Sequence, residues 1–441
     1  MCDVLFITVD SLRADHMGFL GYDRETTPTL DRLAGESVVF ENATAHGPTT
    51  FTSFPSILTG RHAYENPEYP NLAGTTVAEQ FRSAGYHTLS ITSNAWTSPT
   101  YDYDRGFDEV HNLGRGPRSA DSRWDRIRHR IGDTLGDGVV FRFVKGAYDR
   151  LRDINPDDRS EEDVIHDVVV DHLEREEQTF TWVHYMTTHT PYTPDPAESV
   201  PYVDEIPDIE NQRGMIERAR ESPDTVPERD RRRLKNLYDA SIRHLDRRVE
   251  DLLETIHDDT VVCITADHGE AFWEHGYFEH PPDLHQQLLA VPLLIKTPDV
   301  SPRRVEVPVG LSSVPATLRW LAGIADRTEN ALPPWGEWSS PVCSAVAHGS
   351  RWEPADASTD TLKVAVRDDN WKFIRRHDGD DTLVGLASDP EESENLASDN
   401  PSVVKRLSNH ADEFVADFTF GQTAELPDEL EDRLSNLGYV Q

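Results

Sequence analysis

The chain of 441 residues carries 80 acidic and 43 basic side chains, a formal net charge of −37 at pH 7, and is 37% apolar. That apolar share supports packed cores and excludes disorder, and the length suits two or three domains of roughly 100–200 residues, or one large α/β domain with an appendage. So acidic a surface repels phosphate backbones and anionic bilayers, which excludes nucleic acid and charged membrane as partners.

The acids are spread along the chain and only six of the basic residues are Lys. The spread suits solubility in high salt, where screening relieves self-repulsion. Cys2, Cys263 and Cys343 form neither a disulfide framework nor a zinc spacing. No apolar run approaches ~18 residues and no basic-then-apolar leader opens the chain. The expectation is a halophilic, cytoplasmic protein without a transmembrane segment.

Residues 4–9 form a continuous apolar, β-branched run, predicting a buried parallel strand that delivers Asp10 at its carboxyl end. A short capped helix over 27–34 and a strand over 37–40 follow. The stretch 46–60 then runs from a polar Gly-Pro-Thr-Thr turn into an apolar segment closed by Thr59-Gly60. Pro55 suits a first helical turn with Thr52 or Ser53 as N-cap, placing Thr49 and Thr50 just ahead of a helix N-terminus that favours an anion. A helix near 77–81 and a strand over 86–91 come next, then an Arg/Asp-rich surface excursion over 110–165. The strand at 179–186 delivers His184 and His189, and a Pro- and acid-rich loop covers 193–228. The longest helical pattern spans 231–256, feeding a buried strand at 261–265 that ends in Asp267-His268. A strand at 291–295 and a helix at 314–321 complete an alternation that predicts an α/β fold: a large parallel-type, mixed sheet sandwiched by helices. Residues 1–335 are assigned to that domain. Residues 336–441 read as a small antiparallel α+β subdomain, with strands near 364–367, 371–375 and 382–386 and a helix over 403–414.

In a parallel sheet the carboxyl ends of the strands converge on one edge. Asp10, Thr50, Asp267 and His268 would there surround one divalent ion, and carboxylate, imidazole and hydroxyl oxygen leave Ca, Mn, Zn and Mg open. Such an ion would lower the pKa of the Thr hydroxyl enough to make it a nucleophile. His184, His189, His275 and His280 lie in the same strand-end loops.

Asp10-Ser11-Leu12-Arg13-Ala14-Asp15, Thr27-Pro28-Thr29-Leu30-Asp31-Arg32-Leu33-Ala34, Ser56-Ile57-Leu58-Thr59-Gly60-Arg61 and Gly85-Tyr86-His87-Thr88 resemble the sulfatase family of the alkaline phosphatase superfamily. So do Gly106-Phe107-Asp108, His189-Thr190-Pro191-Tyr192, Asp267-His268-Gly269-Glu270 and the C-terminal Asp389-Pro390-Glu391-Glu392. The resemblance implies an alkaline phosphatase-like fold, metal ligation by Asp10, Thr50, Asp267 and His268, and Thr50 as nucleophile. It places His189 and His280 on the substrate's anionic group or leaving oxygen. It also carries departures. Formylglycine-using sulfatases have Cys or Ser followed by x-Pro-x-Arg where this chain reads Thr50-Phe51-Thr52-Ser53-Phe54, so no formylglycine is expected. Ser11 replaces the second Asp of the usual pair, and Ser93 and Ala95 replace an expected Lys-x-His.

The chain is therefore similar to the Thr-nucleophile branch, with nucleotide pyrophosphatases and phosphoglycerol transferases, in a variant of haloarchaeal character. The function implied is metal-dependent hydrolysis of a small sulfuric or phosphoric ester, mono- or diester, with a glycan- or lipid-linked organic part. Two alternatives stand beside it. One is phosphoalcohol or phosphoryl transfer to a glycan or lipid acceptor. The other is a catalytically silent metal-binding protein.

Overall fold

The computed structural model describes residues 2–66, 69–113, 160–298, 300–328, 330–332, 341–347, 361–376 and 380–419. Among the described residues eight strands form the central sheet: β1 (Val4–Val9), β2 (Val38–Phe40), β3 (His87–Thr92), β4 (Glu109–Asn112), β5 (Thr179–Tyr185), β6 (Val261–Ala266), β7 (Leu293–Lys296) and β8 (Arg303–Val305). Their order across the sheet is β8-β2-β7-β6-β1-β5-β3-β4. Only β7 runs antiparallel to its neighbours; every other pairing is parallel.

β1, β5 and β6 are buried along their whole lengths. Such strands are covered on both faces, which explains their near-continuous apolar runs where a half-exposed strand would alternate. The helices separate into two packed groups. α1 (Pro28–Ala34) and α4 (Glu161–Leu173) pack on the long α6 (Glu228–Leu253), while α2 (Thr50–Thr59), α3 (Val77–Ser83) and α7 (Val314–Leu321) pack on one another. α6 buries Leu234, Leu237, Ile242, Leu245, Val249 and Leu252, a helical-period stripe, and leaves its Arg-rich face to solvent. The expected mixed sheet between helix layers is what the chain builds.

A second sheet is fully antiparallel: β9 (Val342–Ala347), β10 (Leu362–Arg367), β11 (Trp371–Arg375) and β12 (Thr382–Gly385), covered by α8 (Pro401–Val415). Its first strand docks on the segment leading to α2. Ala345 N–H donates to His46 O at 3.0 Å, and Ser344 Oγ donates to Ala45 O at 2.6 Å.

Two expectations are corrected, and a third falls mostly outside the described residues. The 193–228 stretch is not a continuous loop: α5 (Ile209–Glu221) lies within it, N-capped by Asp208 and burying Gln212, Met215, Ile216 and Ala219. The flanking prolines and acids hide that 3.6-residue period. α2 begins at Thr50 with Thr49 as N-cap, so Pro55 is inside the helix and Thr50 belongs to its first turn. Thr52 is thereby the third helical residue, and its hydroxyl accepts from Thr49 N–H at 3.1 Å. The excursion assigned to 110–165 lies mostly outside the described residues, but its two ends are regular, in β4 and α4.

Candidate active site

Because β1, β3, β5 and β6 are parallel, their carboxyl ends share one edge of the sheet. Asp10 leaves β1 there, Asn94 lies two residues beyond β3, His184 is the next-to-last residue of β5, and Asp267-His268 leave β6. Asp10 N–H donates to Tyr185 O at 2.9 Å and Asp267 N–H to Val9 O at 3.2 Å, so sheet register extends into the site. Thr50 comes from outside the sheet, on the first turn of α2, and its Oγ1 donates to Asp10 Oδ2 at 3.3 Å. Thr49, its neighbour, points elsewhere: its hydroxyl pairs with that of Thr52 at 2.8 Å.

Ser11 shapes the centre. Its φ of 58° puts a non-glycine residue in the left-handed region, which costs on the order of 1–2 kcal/mol. The turn lets Ser11 N–H donate to Asp267 Oδ1 at 3.2 Å while Ser11 Oγ donates to Asp10 Oδ1 at 2.8 Å. Gly269 is needed for a different reason. A Cβ there would sit 2.0 Å from Gln287 O, because the strand-end turn presses on the short helix Gln286–Leu289.

One ligand atom each from Asp10, Asp267 and His268 lies within 4.8 Å of the others, all in buried residues. His268 Nδ1 faces Gly269 O at 2.8 Å, so the neutral ring carries its proton there and turns the Nε2 lone pair toward the carboxylates. That Nε2 and Asp267 Oδ2 are buried with no hydrogen-bond partner, a costly state unless a cation satisfies them. Two buried carboxylates and one imidazole with such orphaned atoms fit a divalent ion. Burial opposes ionisation of both acids. At Asp10 the nearby His189, His184 and His268 outweigh it and hold the carboxyl well below the usual range, whereas Asp267 is pushed up.

The structure brings every site residue expected from the sequence to this edge. His189 and His280 are buried, their rings 5.7 Å apart, and His280 lies 4.6 Å from His268. His189 Nδ1 donates to Thr190 O at 2.6 Å, which leaves Nε2 as the ring's acceptor. His280 Nδ1 sits 3.1 Å from Glu270 Oε1. His275 instead stacks on His285 at 3.6 Å. Arg13 is spent on Asp15, Glu274 and the carbonyl of Glu270. Phe54 is fully buried, edge-on to His184 at 4.8 Å, so aromatic packing occupies the position where the resemblance expected an Arg.

Asn94 is the residue that sequence reasoning passed over, while His184, expected at a strand end, is placed against Asp10. Asn94 Nδ2 donates to Asp10 Oδ2 at 2.8 Å and reaches Thr50 Oγ1 at 3.3 Å. His184 Nδ1 meets Thr8 Oγ1 at 3.0 Å and its Nε2 lies 3.6 Å from Asp10 Oδ2. The one signal for Asn94 was position, just past the carboxyl end of a parallel strand. At the rim, Ser93 Oγ donates to Glu161, whose carboxyl is pushed up to about 7 by burial.

Comparison with known proteins gives one family. The model described as "Sulfatase" matches residues 3–324. Choline-sulfatase of Rhizobium meliloti is 28% identical, covering 90% of this chain and 83% of its own. Arylsulfatase of Clostridium perfringens is 26% identical over 63% of this chain and 64% of its own. Among solved structures, phosphonate monoester hydrolase of Agrobacterium radiobacter superposes with a TM-score of 0.69 at 17% identity, covering 97% of this chain and 99% of that one. The last is a likeness of fold.

Proposed function

The chain belongs to the sulfatase family, a family of ester hydrolases that use a divalent metal, and from that premise we propose that it cleaves sulfuric or phosphoric esters by attack of Thr50. One observation carries the reading: Thr50 Oγ1 stands 3.3 Å from Asp10 Oδ2, beside the orphaned Asp267 Oδ2 and His268 Nε2. Asp10, Asp267 and His268 would hold one divalent ion together with Thr50. When bound, that ion supplies positive charge that lowers the hydroxyl's pKa and offsets the charge on the ester.

The chain's own residues do the rest. Thr50 Oγ1 forms a bond to phosphorus or sulfur as the bond to the leaving alcohol breaks in line. Asn94 fixes the rotamer of Thr50 and the orientation of Asp10, and the first-turn amides of α2 favour the anionic group. His189 or His280 takes the proton that Thr50 Oγ1 loses and passes it to the leaving oxygen; in the second half it takes one from the attacking water and returns it to Thr50 Oγ1 as the group is released. Thr50 offers no route to formylglycine. That supports phosphoryl chemistry, including phosphodiesters, over sulfate alone, and a glycan- or lipid-linked substrate is proposed beside a small one. Residues 1–335 would act as the catalytic domain and 336–441 as a subdomain bracing the α2 segment. The charge of −37 fits a cytoplasmic enzyme working in molar salt.

The test is a panel of aryl sulfates, phosphomonoesters, phosphodiesters and phosphonates in molar KCl with each divalent metal, with and without acceptor alcohols. Metal-dependent turnover of phosphorus esters supports the reading. Turnover of sulfates alone overturns the preference for phosphorus, products found only on the acceptor make the protein a transferase, and no turnover on any ester refutes it.

A further inference from the structure

At the opposite edge of the sheet, where strands begin, His87, Glu109 and His172 place one ligand atom each within 4.8 Å of the others. His87 opens β3 and Glu109 opens β4, while His172 lies in the last turn of α4. Glu109 pairs with Leu89, two residues beyond His87, so both side chains stand on the same face of the sheet. β3 alone spans roughly 15–20 Å from His87 to its carboxyl end, which separates this cluster from Asp10 and Thr50.

His172 is 2% exposed, and neither of its ring nitrogens makes a hydrogen bond of good geometry, although the His87 backbone lies close enough to interact with the ring. His87 Nδ1 is buried and unbonded as well, and the two rings lie 5.1 Å apart at 54°, able to turn lone pairs toward a common point. A buried imbalance of this kind is uncommon, since an imidazole that loses its hydration normally regains a partner. His111, on the same face of β4 as Glu109, lies close enough to His172 to influence its charge. The competing group is Arg175, whose guanidinium holds Glu109 Oε1 and is 36% exposed, so it is able to swing into solvent.

We propose that His87, Glu109 and His172 form a second divalent-metal site, of the borderline kind that Zn²⁺ or Co²⁺ fills with two imidazoles, a carboxylate and water. Tetrahedral bonds of about 2.0–2.2 Å to these atoms need shifts of an ångström or so at the half-buried His87 and Glu109, with Glu109 released from Arg175. The site ties the edge strand to α4 and takes no part in the ester chemistry.

Co²⁺ is the probe. The full chain is stripped with chelator and titrated with Co²⁺ in molar KCl, and bound metal is counted together with the visible d–d absorption. Wild type is expected to bind one equivalent more than Glu109→Gln or His87→Gln, with ester turnover at saturating metal unchanged within twofold in either variant. His172→Ala is the third arm, and circular dichroism confirms that each variant is folded. Equal stoichiometry and equal absorption in wild type and the folded variants overturn the proposal, as does a loss of turnover that tracks the lost equivalent.

Discussion

Asn94 Nδ2 donates to Asp10 Oδ2 at 2.8 Å, and the same amide reaches Thr50 Oγ1 at 3.3 Å. A neutral donor therefore sits between the carboxylate and the hydroxyl, holding both without competing for positive charge. Asn94→Asp would put a second carboxylate against a buried one, and like charges at that separation cannot both ionise freely. We expect Asn94→Ala to lower kcat roughly 10- to 100-fold, and Asn94→Asp to lower it further and to raise the metal concentration needed for half-maximal activity. Steady-state kinetics across a metal titration checks both. Equal kcat in Asn94→Ala and wild type would remove the amide from the machinery.

Metal removal should act on stability as well as rate. Asp10 and Asp267 are both fully buried and face one another across Ser11. With ion at 100 times Kd, linkage adds about 2.7 kcal/mol to the folded state. Chelator is expected to abolish turnover and lower Tm, and readdition of the divalent ion to restore both. The Asp267→Asn variant should show a much smaller Tm difference between the two conditions.

Glu161 gives a pH signature. Burial raises its folded-state pKa from 4.5 to about 7. Between those values the folded state binds more protons than the unfolded one, so this group makes stability fall as pH rises from about 4.5 to 7, then level off. Glu161→Gln is expected to match wild type in Tm near pH 4 and to exceed it at pH 8. The difference between the two melting profiles isolates this carboxyl from every other acid, and a flat difference contradicts the assignment.

The antiparallel sheet holds a buried ion pair, Lys372 Nζ to Glu392 Oε1 at 2.7 Å, both side chains 1% exposed. Burial lowers the pKa of Lys372, while Lys372 and His285 hold Glu392 down to about 2. Removing one partner strands a charge and typically costs about 3–5 kcal/mol, whereas replacing both with apolar residues is often neutral. Lys372→Met alone should lower the urea midpoint sharply, and Lys372→Met with Glu392→Leu should recover most of the loss.

Most of the fold was readable from the sequence because the central strands are buried on both faces, so 4–9, 179–185 and 261–266 stand out as unbroken apolar runs. α5 was not, since its four buried residues sit among charges and between prolines. The start of α2 was misplaced for a similar local reason. Pro55 suggests a first turn capped by Thr52 or Ser53, yet the helix is capped three or four residues earlier, at Thr49. At the site, residues of obvious chemistry were found at strand ends. Asn94 and Ser11 escaped because an amide and a hydroxyl carry no chemical signal of their own. Their roles come from a left-handed turn and from the parallel pairing that sets the end of β3 beside β5, which only the folded chain supplies.

Everything proposed for this edge of the sheet turns on which atom first bonds to the ester. Acid-quenching the enzyme during turnover of an activated phosphate or sulfate ester, followed by peptide mass mapping, reads that atom directly. The peptide containing Thr50 should carry the mass of one phosphoryl or sulfuryl group on Thr50, and Thr50→Ala should carry none and lose on the order of 10³-fold or more in kcat. An unmodified Thr50 together with full turnover by Thr50→Ala would contradict it.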